Sequence, residues 1–595
     1  MRGKPGRTKK YLTNKNNKKV VIIAACLVLL AVLAAVAYSF LSKKSPRQLY
    51  IDVERNNYKK YSEQIKKLYN DFVSSQKPYM ESRHRSRLEI TAEMDSESSE
   101  IFGIQNVYGI IDAINKSKLV TDVRTDPSAN ESFVQIELLL DKSPLFGLEA
   151  FIKDRQVGFT APLFMPGTYF LVDMEKADDV YDRFNIPVRP KRFLRKVDIV
   201  KALQFDESKL DAIGEEYGNL VSDVIEDEDV KYGDTEAFKI GDVEIKVREL
   251  IVKLDSNKTR ALFNSILEKA MDDELLLNLI FGNYNHLVEL IDETGFFQAY
   301  DLLEDMGIME LNEFFKEILK AVSAKKDIGD LKSKIEEFLD GSRYPDGFEM
   351  RLIIDNSGNI VDRKIHVSCK TGRSDSVYAV DIHSANNSLK SGSFFDDRFI
   401  RIEFTETDGS GRKLAKIFEI NTGTKPGLKD EEKGKTVDIT VLNMDNGTEK
   451  NAIRANFDIH ETTDRLTLKK TSVTKYDIKV SADDAKLVDI FNGEIYSEKS
   501  RNDKFKTVNT KTDIKINTRL TSFGLKDISF RFKLAGEDKF DIDPFELPDF
   551  RKGRVVDLNR ATDDELAGVQ RDLLASFGAF YLENKSLIDG IMGAR

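Results

Sequence analysis

From Phe348 to about residue 548, apolar and polar residues alternate almost without a break. Phe348, Met350, Leu352 and Ile354 set the period. Val437/Ile439/Val441, Ile453/Ala455/Phe457/Ile459, Ile514/Ile516 and Ile528/Phe530/Phe532/Leu534 repeat it. Successive side chains of a strand point to opposite faces, so each run makes one apolar and one wet face. Asp355-Asn356-Ser357-Gly358 and the loops 406–412 and 421–435 read as hairpin tips. Roughly ten strands result, enough for a large, curved antiparallel sheet.

A second stretch, about 85–173, has the same character. Leu88, Ile90, Ala92 and Met94 alternate, as do Val134, Ile136 and Leu138, and the stretch ends in two strands around Pro162 and Pro166-Gly167. Residues 174–345 read as mainly helical, interrupted at 234–257 by a hairpin with Gly241-Asp242 at its turn. Asp255-Ser256-Asn257 then supplies capping side chains for a helix from Thr259. Residues 51–76 carry Tyr58, Tyr61, Ile65, Leu68 and Phe72 at helical spacing, closed by Lys77-Pro78. A last helix, about 562–587, starts at the cap Thr562-Asp563-Asp564-Glu565 and is expected to lie across the second sheet. The fold class expected is α+β: an N-terminal transmembrane helix, then large curved antiparallel sheets with helices on one face.

The transmembrane helix rests on Val20 to Leu41, 22 residues without a charge. At 1.5 Å per residue they span roughly 33 Å, enough for a hydrocarbon core of about 30 Å. Eight bases precede the run, with no acid, and only Lys43, Lys44 and Arg47 follow before charges mix. That bias places the N-terminus in the cytoplasm and the C-terminal bulk outside, as a single-pass cell-membrane protein. Two processing alternatives stand beside a retained helix: cleavage near Ala37, and lipidation at Cys26. The expected division is a basic tail at 1–19, the membrane helix at 20–41 and a juxtamembrane helical stalk at 42–84. Beyond it come a β region at 85–175, helices at 176–345, a β region at 346–550 and a C-terminal helix at 551–595.

With 101 acids and 91 bases in all, removing the eight N-terminal bases leaves 83 − 101 = −18 for the remainder. An acidic ectodomain argues against nucleic acid as a partner. Cys26 and Cys369 are the only cysteines, so an ectodomain beyond the anchor has no internal disulfide and rests on its core. This habit suits a Gram-positive envelope protein, and Cys369, in a strand-like stretch, reads as a buried small hydrophobe.

Nothing in the sequence reads as catalytic. GxxxxGK[ST], GxGxxG, HExxH and GxSxG are all missing. His460-Glu461-Thr462-Thr463-Asp464 ends a strand rather than riding a helix. Asp355 to Asn359 starts like a calcium loop but has Ile360 and His366 where the loop needs Gly and Glu. No cofactor or metal is therefore expected. Phe457, Phe530 and Phe532 on the second sheet are the candidate contacts for an apolar ligand.

The passages GLEAFIKDRQVGFTAPLFMPGTYFLVDM and KIGDVEIKVRELIVKLDSNKTRALFNSILEKA resemble bacterial envelope proteins of the LolA and mycobacterial-lipoprotein type. The whole chain is similar to large single-pass membrane-anchored ectodomain proteins of Firmicutes. The first resemblance implies half-barrels, here two units, that wrap helices and hold lipid; it carries over no functional residue. The function expected is therefore a non-enzymatic, membrane-anchored envelope protein that binds a lipid or other hydrophobic ligand in a β-cup. The alternative is a structural or interaction ectodomain whose partner is another envelope protein; the oligomeric state stays open.

Overall fold

The computed structural model describes residues 45–94, 107–153, 155–192, 196–204, 206, 208–234, 237–240, 243–277, 282–298, 333, 341–371, 375–386, 397–426, 432–464, 467, 469–481, 488–519, 527–546 and 553–585. The expected basic tail and membrane helix, with Cys26 and Ala37, lie outside these residues. Among the described residues no helix is long and apolar enough to cross a membrane.

Helix α1, Pro46–Glu81, opens the described chain. Ser45 caps it by accepting from the Gln48 amide, and Pro46 occupies the first turn, where its missing N–H costs nothing. The helix runs one turn past Pro78, which does not close it as the sequence suggested. Strand β1, His84–Met94, follows, then α2, Val107–Lys116, which the alternation in this region did not announce. A meander comes next: β2 Ser117–Asp126, β3 Glu131–Leu140, β4 Ser143–Lys153, β5 Gln156–Thr160 and β6 Thr168–Asp173.

The helical region gives α3 Ala177–Phe184, α4 Lys196–Ala202 and α5 Ser208–Val224, then β7 Val230–Tyr232. The expected hairpin is β8 Ala237–Ile240 with β9 Val243–Leu254. Asp255 caps α6, Ser256–Asp272, accepting from the Asn257 and Lys258 amides. Short helices α7 Glu274–Leu277 and α8 Asn283–Asp292 follow. After β10, Ser342–Arg343, Gly347 turns the chain at φ +69°, where a Cβ would strike the Leu254 carbonyl oxygen, so only glycine fits.

The long alternating region then delivers β11 Phe348–Asp355, β12 Ile360–Thr371, β13 Val377–Asn386, β14 Arg398–Thr407, β15 Lys413–Pro426 and β16 Glu432–Asp445. It continues through β17 Thr448–Asp464, β18 Lys469–Ser481, β19 Val488–Asn502, β20 Thr507–Arg519 and β21 Asp527–Phe540. Strand β22, Arg554–Asp557, and helix α9, Asp563–Glu583, end the described chain.

The two β regions are joined. Strand β1 pairs with β2 on one side and with β21 on the other, in register from His84↔Phe540 to Met94↔Phe530. One antiparallel sheet therefore runs β6-β5-β4-β3-β2-β1-β21 and back through the meander to β11 and β9. It ends at β22, parallel to β6, and at β7 on β9, so it is open rather than closed into a barrel. The expectation of two separate half-barrels is corrected by this ladder: neither β region has a free edge at the seam.

Among the described residues, helices α1, α5 and α6 cover one end of the sheet, and α3 and α9 cover the other. Tyr50, Ile51 and Val53 of α1, Ile213, Tyr217 and Val221 of α5, and Leu262, Phe263 and Ile266 of α6 bury β9, β11 and β12. At β11 and β12 the apolar face is sealed; Met350, Leu352, Ile365, Val367 and Cys369 are buried. A second, smaller core lies at the far end, where Leu566 and Val569 of α9 meet Val172, Tyr181 and Val556. Helix α9 is thus not laid across the second β region: Leu566 and Val569 of its first turns pack beside β6 and β22, while Leu574 and Phe577 further along are exposed.

Inside the larger core one acid stands out. Glu54 is fully buried and paired with Arg363 of β12. Burial raises its pKa, against the pull of the Arg363 charge. At neutral pH, Arg363→Met should cost about 3–5 kcal/mol in chemical denaturation by leaving a buried acid uncompensated. A raised native pKa means protonation favours the fold: the stability is complete below the ordinary value of 4.5 and is lost as pH rises through the native one. The defect of Arg363→Met should therefore be larger at pH 8 than at pH 5, by about 1 kcal/mol or more, and Glu54→Gln added to it should remove the pH dependence.

Candidate functional site

Paired residues on neighbouring strands share a face, so the registers trace one surface across the meander. From Met350 it passes to Ile365, Ile382, Ile402, Phe418, Val441, Ile453 and Val480. The row two residues along each strand includes Ile400, Ile420, Ile439, Ala455, Ile478 and Phe491. The next contains Val437, Phe457, Tyr476, Gly493, Ile516 and Phe530, and the next Ile459, Ile495, Ile514 and Phe532. The face continues through Ala92 and Ile90 of β1 to Leu119 of β2 and Leu138 of β3.

The opposite face is ionic. Arg401 pairs with Glu403 and Glu419, Lys425 with Asp458, Arg531 with Asp513, Lys533 with Glu93, and Arg85 with Asp122. Apolar side chains are thus collected on one surface. Beyond β14 that surface changes character: Phe418, Ile420, Val437, Ile439, Val441, Phe457, Ile478, Ile514, Phe530 and Phe532 are only half-buried. Gly493 leaves room for the Tyr476 hydroxyl to reach over it and donate to the Lys515 carbonyl at 2.9 Å, so this polar tip is satisfied within the sheet.

Helix α1 is pinned to this face at both ends. The Tyr50 hydroxyl lies 3.6 Å from the Met350 sulfur, and Glu54 pairs with Arg363. Arg398 of β14 donates to the Tyr61 hydroxyl at 2.7 Å and stacks over its ring. At the C-terminal end Tyr79 donates to Asp538 of β21 at 2.5 Å and meets Phe540 edge to face. At 100° per residue Ile65, Leu68 and Phe72 fall on the same helical stripe as Tyr50, Glu54, Tyr61 and Tyr79. They therefore face the sheet, yet they are 47%, 54% and 38% exposed.

The lengths explain the gap. Tyr61 to Tyr79 spans about 27 Å of helix, whereas the seven steps from β14 to β21 take about 34 Å at roughly 4.8 Å each. The longer path is consistent with a sheet that bows beneath the helix. Between the two ties the exposed helix face and the half-buried sheet face border an apolar trough. Phe457, Phe530 and Phe532 lie on this same face of the sheet. Phe530 and Phe532 stack with centroids 6.4 Å apart. The helix residues Ile65, Leu68 and Phe72 complete the lining. Their spacing is visible in the sequence, but their facing a bare sheet is not.

A further concavity lies on the ionic face, a pocket of about 350 Å³ lined by residues that include Glu349, Arg351, Lys364, His366, Asp381, His383 and Arg401. His366 Nδ1 lies 2.7 Å from Asp381, and His383 Nε2 lies 2.6 Å from Asp362. Each histidine has a carboxylate, but no serine, threonine or cysteine nucleophile is among the pocket residues. Elsewhere His460 lies on β17, and Asp355 folds its turn by accepting from the Ser357 and Asn359 amides. Lys258 gathers Glu226, Glu228 and Asp229. Cys369 is buried and its thiol is pushed up to about 11 by that burial. Among the described residues no group of His, Cys, Asp and Glu is placed to hold a metal ion.

No family model matches the chain, and no curated protein matches it. The chain aligns with OmpTdeltaL8, a loop L8 deletion mutant of the outer membrane protein OmpT of Vibrio cholerae, over 77% of its own length and 97% of that one. Identity is 6% and the TM-score 0.18. OpdQ of Pseudomonas aeruginosa aligns over 77% and 96%, with 6% identity and a TM-score of 0.14. Scores this low carry no argument about fold or function.

The Asp381 carboxylate hydrogen-bonded to His366 raises the imidazole pKa above 6.5. The charged pair is complete below 6.5 and lost as pH rises through the raised value. A ring-proton NMR titration should place the His366 midpoint above 6.5, and Asp381→Asn should lower it by about half a unit or more.

Proposed function

We propose that this chain is a non-enzymatic, membrane-anchored, extracytoplasmic protein that holds the acyl chains of lipids in the trough beneath α1. The single observation that carries the reading is the exposure of Ile65, Leu68 and Phe72 opposite a half-buried apolar sheet. Exposed apolar patches of more than a few hundred Å² are unusual on soluble monomers and mark sites where something apolar binds. The trough walls are mainly aliphatic and aromatic, and the Tyr476 hydroxyl among them is satisfied within the sheet. Such walls suit hydrocarbon, which needs area and no directional bonds. The uncharged run Val20 to Leu41 supports the placement, since it ends only a few residues before α1 and would set the trough close to a source of lipid. The bases before that run support a cytoplasmic N-terminus and an extracytoplasmic trough.

The test is to purify the full-length chain in detergent and count fatty-acyl chains retained per protein by mass spectrometry. The wild type should retain them through gel filtration. Ile439→Asp or Phe457→Asp, inside the trough, should lower retention about tenfold, because a carboxylate on an apolar surface opposes hydrocarbon binding. Thr440→Asp, on the ionic face, should leave it unchanged. Absence of acyl chains in the wild type, or equal losses in all three variants, would overturn the proposal.

A further inference from the structure

The apolar band has two long margins, and they differ in charge. On one margin Lys416 of β15 opposes the neutral amide Asn443, which in turn opposes Asn451. On the other, four lysines sit on the trough face of consecutive strands. Lys435 and Lys433 of β16 oppose Ile459 and Glu461 of β17, and Lys470 of β18 directly opposes Lys499 of β19. In the same rows Ser472, Ser497, Thr510 and Thr512 replace the aliphatic residues of the band.

Several basic side chains of the sheet are matched with acids across strands, as Arg531 is with Asp513 and Lys469 with Glu498. Three lysines of the rim are not. Among the described residues no acid lies within ion-pair distance of Lys433, Lys470 or Lys499; Glu461 is opposite Lys433 but does not close on it. A directly opposed like-charged pair on one face, with Cβ atoms about 4.5–5.5 Å apart, is destabilising. Lys470 and Lys499 hold that arrangement with hydroxyl-bearing side chains as their neighbours. Ammonium donors beside hydroxyl donors, on the border of an apolar band, match an anionic oxyacid group attached to hydrocarbon.

We infer that this rim binds the phosphate-bearing headgroup of an anionic lipid, with Lys433, Lys470 and Lys499 as its contacts. The inference rests on the reading that the trough holds acyl chains. It adds an orientation, in which headgroups line the lysine margin and the chains cross the band toward Phe418, Ile439 and Phe457. It also adds selectivity, since zwitterionic lipids offer the rim no net charge.

The experiment uses the full-length protein in nonionic detergent, with mixed micelles containing phosphatidylglycerol or phosphatidylcholine, and reads bound lipid per protein after gel filtration. The wild type should prefer phosphatidylglycerol by about fivefold at low salt, and the preference should shrink as salt is raised. The triple variant Lys433→Gln, Lys470→Gln, Lys499→Gln should lose the preference while binding phosphatidylcholine as before. Lys475→Gln, Lys511→Gln and Lys515→Gln together, on the ionic face of the same strands, should keep it. Lipid bound without preference, or equal behaviour of the two triple variants, would overturn the rim but leave the trough reading intact. No lipid bound at all would overturn both. Loss of the preference to millimolar inorganic phosphate would also overturn the inference, because it would make the rim a site for free anions.

Discussion

An apolar sheet face must be removed from water, and among the described residues helices seal only part of the face this chain builds. Helices α1, α5 and α6 seal β9, β11 and β12, where the side chains are buried. The same face continues through nine more strands to β21 and then into β1. Over much of it the apolar side chains are only half-buried. Curvature is the partial remedy. A sheet that bows brings its inner side chains together and shortens the distance that one helix must cross.

Helix α1 can act as a strap because its middle and its C-terminal end are tied to the sheet by polar contacts of aromatic side chains, Tyr61 to Arg398 and Tyr79 to Asp538. Between these ties the helix is held off the sheet. Asp538 also accepts from Ser86 of β1 at 2.5 Å, so the tie falls where the N-terminal and C-terminal β regions join. The seam, the strap and the arch are therefore one mechanical unit. Loosening the β1–β21 ladder would free the far end of α1 as well as split the sheet.

Much of the secondary structure was legible because its causes are local. The period of two placed the strands from Phe348 onward, Gly241-Asp242 falls between β8 and β9, and Asp255 and Thr562 cap their helices as their side chains suggest. The face of Phe457, Phe530 and Phe532 followed from the same alternation. What escaped depends on distant pairing. Nothing near His84 announces that Phe540 lies beside it, and without that ladder two half-barrels were the natural reading. Glu54 belongs to a Lys/Glu-rich stretch that suggests a wet helix face, yet Arg363 draws it into the core. Pro78 looked like a terminator, but close to a helix end the lost hydrogen bond is cheap against the contacts of Tyr79. Exposure of Ile65, Leu68 and Phe72 reports on the far side of the gap rather than on the helix itself.

The central claim is that the sheet has one face open to hydrocarbon and one to water, and adjacent residues of β16 can report it. Nitroxide labels placed singly at Ile439→Cys and Thr440→Cys, in full-length Cys26→Ser protein loaded with lipid, would be read by electron paramagnetic resonance. Cys369 stays unlabelled, since it is buried and its thiol is held protonated. The label at 439 should relax more readily with molecular oxygen than with a polar nickel chelate, and the label at 440 the reverse. Two labels with the same preference, or a label at 439 shielded from both reagents by protein, would contradict the account.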